Sequence, residues 1–166
     1  MQIKRFLLAL LLTAIILPAL WLGFNTTAPP APDVTFTTLT GKKIALGALR
    51  GKPVIVTFWA TDCPSCIKEV PHLLDLYARY HPQGLEIIAV AMYYDPPNHV
   101  VTMTGDLRLP YPVALDLKAG IAHAFGDVQL TPSTFLISPD GLIALKTTGV
   151  FDPAEMKTRI ETFIKG

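Results

Sequence analysis

The chain has 166 residues, of which 51% are hydrophobic and 16% charged, with a net charge of +1. That length suits one domain with a real core and a short appendage. The near-zero charge gives no electrostatic footprint for nucleic acid.

The apolar excess begins at the N-terminus. Lys4 and Arg5 precede nineteen uncharged residues, Phe6 to Phe24. A helix of that length spans roughly 28 Å, close to the hydrocarbon thickness of a bilayer. Residues 1–24 are therefore expected to be a membrane anchor. A cleavable signal sequence is the rival reading, but no clear Ala-x-Ala site follows, and Pro29 and Pro30 stand where cleavage would be wanted. The basic residues should stay in the cytoplasm and send the remaining chain outward. Residues 25–32 read as a Pro/Ala/Thr linker without structure, and residues 33–166 as the folded domain.

Val34–Thr37 and Lys43–Leu46 alternate weakly around Thr40-Gly41, which predicts a small hairpin. Ala48–Gly51 is a short connection. Pro53–Phe58 is a β-branched apolar run and reads as a buried strand. Ile67, Val70, Leu74 and Tyr77 recur at helical spacing, predicting a helix to about Tyr80 with a bend at Pro71. A turn at Pro82-Gln-Gly84 leads into a strand over Leu85–Met92. Tyr93–Pro97 is a loop, Asn98–Leu107 a weak helix, Pro112–Leu115 a short strand and Lys118–Phe125 a short helix. Strands are expected over Ser133–Ser138 and Leu142–Thr148, joined by the tight turn Pro139-Asp-Gly141. Asp152-Pro153 starts the last helix as N-cap and first-turn proline. Strands alternating with helices, closed by an antiparallel hairpin, give an α/β fold with a mixed central sheet.

The only two cysteines, Cys63 and Cys66, sit where the central strand turns into its helix. A thiolate at Cys63 would face the unpaired N–H groups and positive dipole of the helix N-terminus. The thiolate is the reactive form of cysteine. Cys66 lies one turn in and should be more shielded, which suits an attacking and a resolving sulfur. Three other readings compete. A structural disulfide usually closes a longer loop. A zinc site needs two more ligands, and His72, His81, His99 and His123 show no suitable spacing. Two soft thiolates could instead carry Cu(I), as in a copper chaperone. The histidines are assigned nothing.

Phe58-Trp59-Ala60-Thr61 leading into Cys-x-x-Cys, with Thr131-Pro132 before a strand, resembles the thioredoxin superfamily. The longer pattern Cys63-x-x-Cys66-x-x-Glu69-x-Pro71 resembles its membrane-anchored TlpA/ResA-type thiol–disulfide oxidoreductases. The resemblance spans about Asp33 to Gly166, including a strand–helix insertion near Met92–Leu117. It implies a thioredoxin-like fold and a cis peptide at Thr131-Pro132 facing the cysteines, where an incoming peptide could bind. It also implies reduction of protein disulfides outside the cytoplasm, such as in cytochrome c or copper-oxidase maturation, fed by a membrane thiol donor. A disulfide-forming oxidase would use the same residues with opposite flux. No bound cofactor is needed, because the cysteines carry the electrons.

Two departures from that pattern stand out. Asp62 occupies the place usually held by Trp, and could oppose the thiolate or cap the helix. Pro64 takes the first position between the cysteines rather than the second. Many thioredoxins bury an Asp six residues before the first cysteine, and here that position is Thr57. Glu69, one helical turn beyond Cys66, is the candidate proton carrier, against the base rate that makes a helix glutamate solvated. Trp59 and Phe58 read as core. Tyr93 and Tyr94 are either an ordinary loop or a docking surface beside the cysteines.

Overall fold

A computed structural model describes residues 28–165. Its strands are β1 (Thr35–Thr37), β2 (Lys43–Ala45), β3 (Val54–Trp59), β4 (Glu86–Ala91), β5 (Val113–Leu115), β6 (Ser133–Ile137) and β7 (Ile143–Thr148). The helices are α1 (Pro64–Tyr80), α2 (Pro97–Asp106), α3 (Gly120–Ala124) and α4 (Pro153–Lys165). β1 and β2 form the expected antiparallel hairpin. The other five strands make one sheet in the order β5-β4-β3-β6-β7. β3 runs parallel to β4, and β4 to β5, while the β3–β6 and β6–β7 pairs are antiparallel.

All six residues of β3 are buried, as its uninterrupted apolar run requires of a strand covered on both faces. Its side chains alternate between two cores. Val54, Val56 and Phe58 join Phe36, Ile88, Val90, Phe125 and Phe135 on one side. Ile55 and Trp59 join Leu73, Leu76, Ile87, Met156 and Ile160 on the other. The Phe58, Phe125 and Phe135 rings meet edge-on with centroids 4.9–5.9 Å apart. Such pairs add about 0.5–1.5 kcal/mol beyond area burial. Thr57 shares the face of Ile55 and Trp59 and so points a hydroxyl into the helix-side core.

Asp152 caps α4 as expected, its Oδ1 accepting from Ala154 N at 2.8 Å and Glu155 N at 3.4 Å. The turn between β6 and β7 closes through Gly141 N to Ser138 O at 2.7 Å. Gly141 has φ +74°, a conformation that L side chains rarely adopt. The insertion read over Met92–Leu117 supplies α2 and the edge strand β5. α3 starts later than the periodicity suggests. Ala119 takes a left-handed φ of 55°, and the buried Asp116 carboxylate receives Ile121 N and Ala122 N.

The anchor expected over residues 1–24 lies outside the described residues. Among the described residues, no helix is long and apolar enough to cross a membrane. The linker expected over residues 25–32 is not structureless throughout. Pro30 pairs with Leu142, Ala31 N donates to Gly141 O, and Ile143 N donates to Pro29 O. Prolines lack the donor a central strand needs, but an edge pairing of this kind tolerates them.

Candidate functional site

The sheet brings five loops to one end. Trp59 at the end of β3 is in register with Ala91 at the end of β4, and Ala91 with Leu115 at the end of β5. Phe58 faces Ser133 at the start of β6, and Ser133 faces Thr148 at the end of β7. The loop after β3 carries Cys63, and the residues just before β6 are Thr131 and Pro132.

Cys63 and Cys66 are joined by a disulfide, with Cα atoms 5.3 Å apart. Cys63 is the N-cap of α1, and its Sγ accepts the Cys66 N–H at 3.1 Å. Ser65 Oγ lies 3.4 Å from the same sulfur. Pro64 occupies the first turn, where its missing N–H costs nothing. The helix end therefore offers its donors to sulfur. Asp62 does not cap α1; it is exposed, and the cap belongs to Cys63. The expected difference in shielding is small in this oxidised state, with Cys63 8% exposed and Cys66 3%.

Glu69 is 1% exposed. Its Oε1 accepts the Phe151 N–H at 3.1 Å, and its Oε2 lies 3.3 Å from Thr134 Oγ1 and 3.4 Å from Thr57 Oγ1. Loss of water raises its pKa above the ordinary value of 4.5, and these donors pull less strongly the other way. Cys66, Glu69, Thr57, Trp59 and Tyr111 line one cavity between α1 and the sheet. Tyr111 is held protonated, first by burial and then by the charge of Glu69. A carboxyl whose pKa is raised by burial thus shares a cavity with the inner sulfur.

The peptide bond Thr131-Pro132 is cis, as the resemblance implies. Pro132 O accepts Gly149 N at 2.8 Å, and the β3–β6 ladder begins at Ser133. Thr131 itself lies outside both ladders, at the cysteine end of the sheet. Tyr93, Tyr94, Leu117, Leu130 and Val150 are exposed and lie in loops at this same end. Among the described residues, no group of three or more His, Cys, Asp or Glu side chains is arranged to hold a metal.

Sequence reasoning placed Cys63, Cys66, Glu69, Thr131 and Pro132 at one site, and the fold brings these segments to one end. It missed Thr134, Tyr111 and the Phe151 backbone, which reach Glu69 from far along the chain. It also missed Asp95. The Asp95 carboxylate is 5% exposed and binds Thr61, two residues before Cys63. An acidic residue in the loop after an apolar strand, four positions past its end, was the available signal.

The family model described as Redoxin matches residues 26–163. This chain belongs to the Redoxin family. It is 35% identical over 135 residues to the thiol–disulfide oxidoreductase ResA of Bacillus thuringiensis, covering 81% of this chain and 75% of that one. It is 33% identical over 132 residues to ResA of Geobacillus thermodenitrificans, covering 80% and 75%. The solution structure of a candidate thioredoxin from Neisseria meningitidis superposes with a TM-score of 0.77 at 28% identity, covering 84% of this chain and 93% of that one. The chain is thus a TlpA/ResA-like member of the thioredoxin superfamily and a thiol–disulfide oxidoreductase, with the mixed sheet and N-terminal hairpin expected of it.

Proposed function

We propose that this oxidoreductase reduces protein disulfides on the outer side of the cytoplasmic membrane. The observation that carries this reading is Cys63 Sγ at the N-cap of α1, receiving the Cys66 N–H. In the dithiol form the same position stabilises a thiolate at Cys63. That thiolate attacks one sulfur of a substrate disulfide. A mixed disulfide forms and the substrate's other sulfur leaves as thiolate. Cys66 then loses its proton and attacks Cys63 Sγ, releasing the second substrate thiolate and leaving the Cys63–Cys66 disulfide. Two electrons pass to the substrate, and no bound cofactor enters.

Glu69 exchanges the proton of Cys66 across the cavity they share. Thr131 and Pro132 hold the substrate backbone as an added strand, since Thr131 is outside the ladder and at the right end of the sheet. The exposed Tyr93, Tyr94, Leu117, Leu130 and Val150 around that end favour a polypeptide substrate over a small thiol. Proteins of cytochrome c or copper-oxidase maturation are the substrates the resemblance implies. A membrane dithiol protein returns the electrons.

The membrane placement rests on Lys4, Arg5 and the uncharged stretch Phe6–Phe24. The full chain should stay with membranes after a carbonate wash and lose its domain to protease added outside. A soluble protein beginning near Ala28 would overturn the anchor. The direction of flux is tested by the reduction potential of the Cys63–Cys66 pair. A value of about −270 mV supports the reductase, and one of about −120 mV makes it an oxidase. Tight Cu(I) binding by the dithiol without disulfide turnover would make it a copper carrier.

A further inference from the structure

We infer that Asp95 is a positioning residue for Cys63, acting through Thr61, an inference that rests on the proposed attack by Cys63. Asp95 follows β4, in the loop of Tyr93 and Tyr94. Its Oδ2 accepts the Thr61 backbone N–H at 2.6 Å, and its Oδ1 accepts the Thr61 hydroxyl at 2.7 Å. Both carboxylate oxygens thus close on one residue. Charged acceptors make the shorter and stronger hydrogen bonds, and this one is 5% exposed.

The position of Thr61 gives the clamp its consequence. Cys63 N donates to Ala60 O at 3.2 Å, closing a turn in which Thr61 is the second residue and Cys63 the fourth. The β3–β4 pairing carries on by one bond, Met92 N donating to Trp59 O at 3.0 Å, and a turn in the loop after β4 closes with Asp95 N donating to Met92 O at 3.0 Å. Beyond it, the Asp95 carboxylate ties the loop after β4 to Thr61 and holds the turn that delivers Cys63 to the N-cap of α1. Its carboxylate does not cap the helix that follows. The N-cap of α2 is Pro96, with no side-chain cap bond. The same loop carries the exposed Tyr93–Tyr94 pair, whose rings meet with centroids 5.3 Å apart. The clamp therefore fixes that pair relative to the reacting sulfur.

A bare charge effect and a clamp make opposite predictions. A buried carboxylate near a thiolate opposes it, so removing the charge alone should leave Cys63 at least as reactive. Removing the hydrogen bonds frees the turn, weakens the cap at Cys63 and lowers the thiolate fraction. The test is the rate at which iodoacetamide alkylates Cys63 in the reduced full-length protein at pH 7, with the site mapped by mass spectrometry.

Asp95→Ala should slow alkylation about tenfold, the equivalent of one pKa unit at the thiol. Asp95→Asn keeps one acceptor for the Thr61 N–H and offers its NH2 to the Thr61 hydroxyl oxygen, so it should match or exceed the wild-type rate. Thr61→Val loses only the hydroxyl bond and should slow it by about threefold. Alkylation of Asp95→Ala at the wild-type rate would reduce Asp95 to a stability residue and overturn the inference. So would Asp95→Asn as slow as Asp95→Ala, since keeping the hydrogen bonds to Thr61 would then preserve nothing. If Asp95→Ala does not fold, Thr61→Val decides alone, and a wild-type rate there overturns it. A wild-type protein whose Cys63 is no faster than Cys66 instead sinks the proposed attack.

Discussion

The hydroxyls of Thr57 and Thr134 stand opposite each other across the β3–β6 pair, 2.8 Å apart, directly beside one oxygen of Glu69. Each hydroxyl has a single proton. The 2.8 Å contact uses one of them, so one is left for the Glu69 oxygen at 3.3–3.4 Å. A protonated Glu69 fits this group without loss, donating into it as well as accepting. Burial pushes in the same direction.

Glu69→Gln keeps the shape and the acceptor for Phe151 N while removing the titration. Because the folded-state pKa of Glu69 is raised, the folded protein binds more protons than the unfolded chain above about pH 4.5. Wild-type stability should therefore fall as pH rises from there through the folded pKa. Glu69→Gln lacks that fall, so its stability relative to wild type should grow across the same window. Urea unfolding from pH 4 to pH 8 measures this, and a constant offset would refute it. The pH dependence of disulfide reduction should change too. Overlaying profiles would leave Glu69 without a part in proton transfer.

Thr134→Val tests the hydroxyl pair. Hydrogen bonds from Thr134 and Thr57 lower the Glu69 pKa, so removing one should raise it further. The stability window should extend to higher pH. The lost bond should cost about 1 kcal/mol at low pH and more at high pH, where Glu69 is charged. A variant whose loss is the same at pH 4 and pH 8 would show that the threonines do not report on that charge.

The strands and helices were legible because their signals are local. β3, β4 and α1 follow from β-branched runs and helical spacing, and the α4 start from Asp152-Pro153. The disulfide pair was legible because Cys-x-x-Cys lies within one helical turn. Glu69 was named by its motif alone, since helical periodicity cannot separate a buried glutamate from a solvated one. Its partners Thr134 and Phe151 lie 65 and 82 residues away, and contacts that distant are set by strand order. The Asp95–Thr61 contact spans 34 residues and depends on β3 and β4 being parallel neighbours. The late start of α3 was hidden because a side chain, that of Asp116, takes the place of a conventional cap. The pairing of Pro30 with Leu142 ran against the ordinary meaning of proline.

The aromatic cluster gives a control for stability without chemistry. Phe135 is 1% exposed and packs on Phe58 and Phe125, on the face of the sheet away from Glu69. Phe135→Ala should cost about 3–5 kcal/mol in urea unfolding. At low denaturant, the alkylation rate of Cys63 should stay at the wild-type value. A large change in that rate would mean that the two cores are not energetically separate.

The cysteines themselves should differ once reduced. Breaking the disulfide leaves Cys63 Sγ with the Cys66 N–H and the end of α1, whereas Cys66 lines the cavity beside Glu69. The outer sulfur gains a stabilised negative charge and the inner one does not, so iodoacetamide should modify Cys63 well over tenfold faster at pH 7. Cys66→Ser removes the sulfur that resolves the mixed disulfide. Mixed with a protein substrate of known disulfide content, this variant should accumulate a covalent adduct at Cys63, visible on a non-reducing gel and lost on adding dithiothreitol. Cys63→Ser should form far less, because Cys66 lies one turn inside α1, beside the Glu69 cavity, and lacks the N-cap donors that stabilise a thiolate at Cys63. Equal alkylation rates, or adducts that form at Cys66, would exchange the two roles and place the attacking sulfur one turn inside the helix.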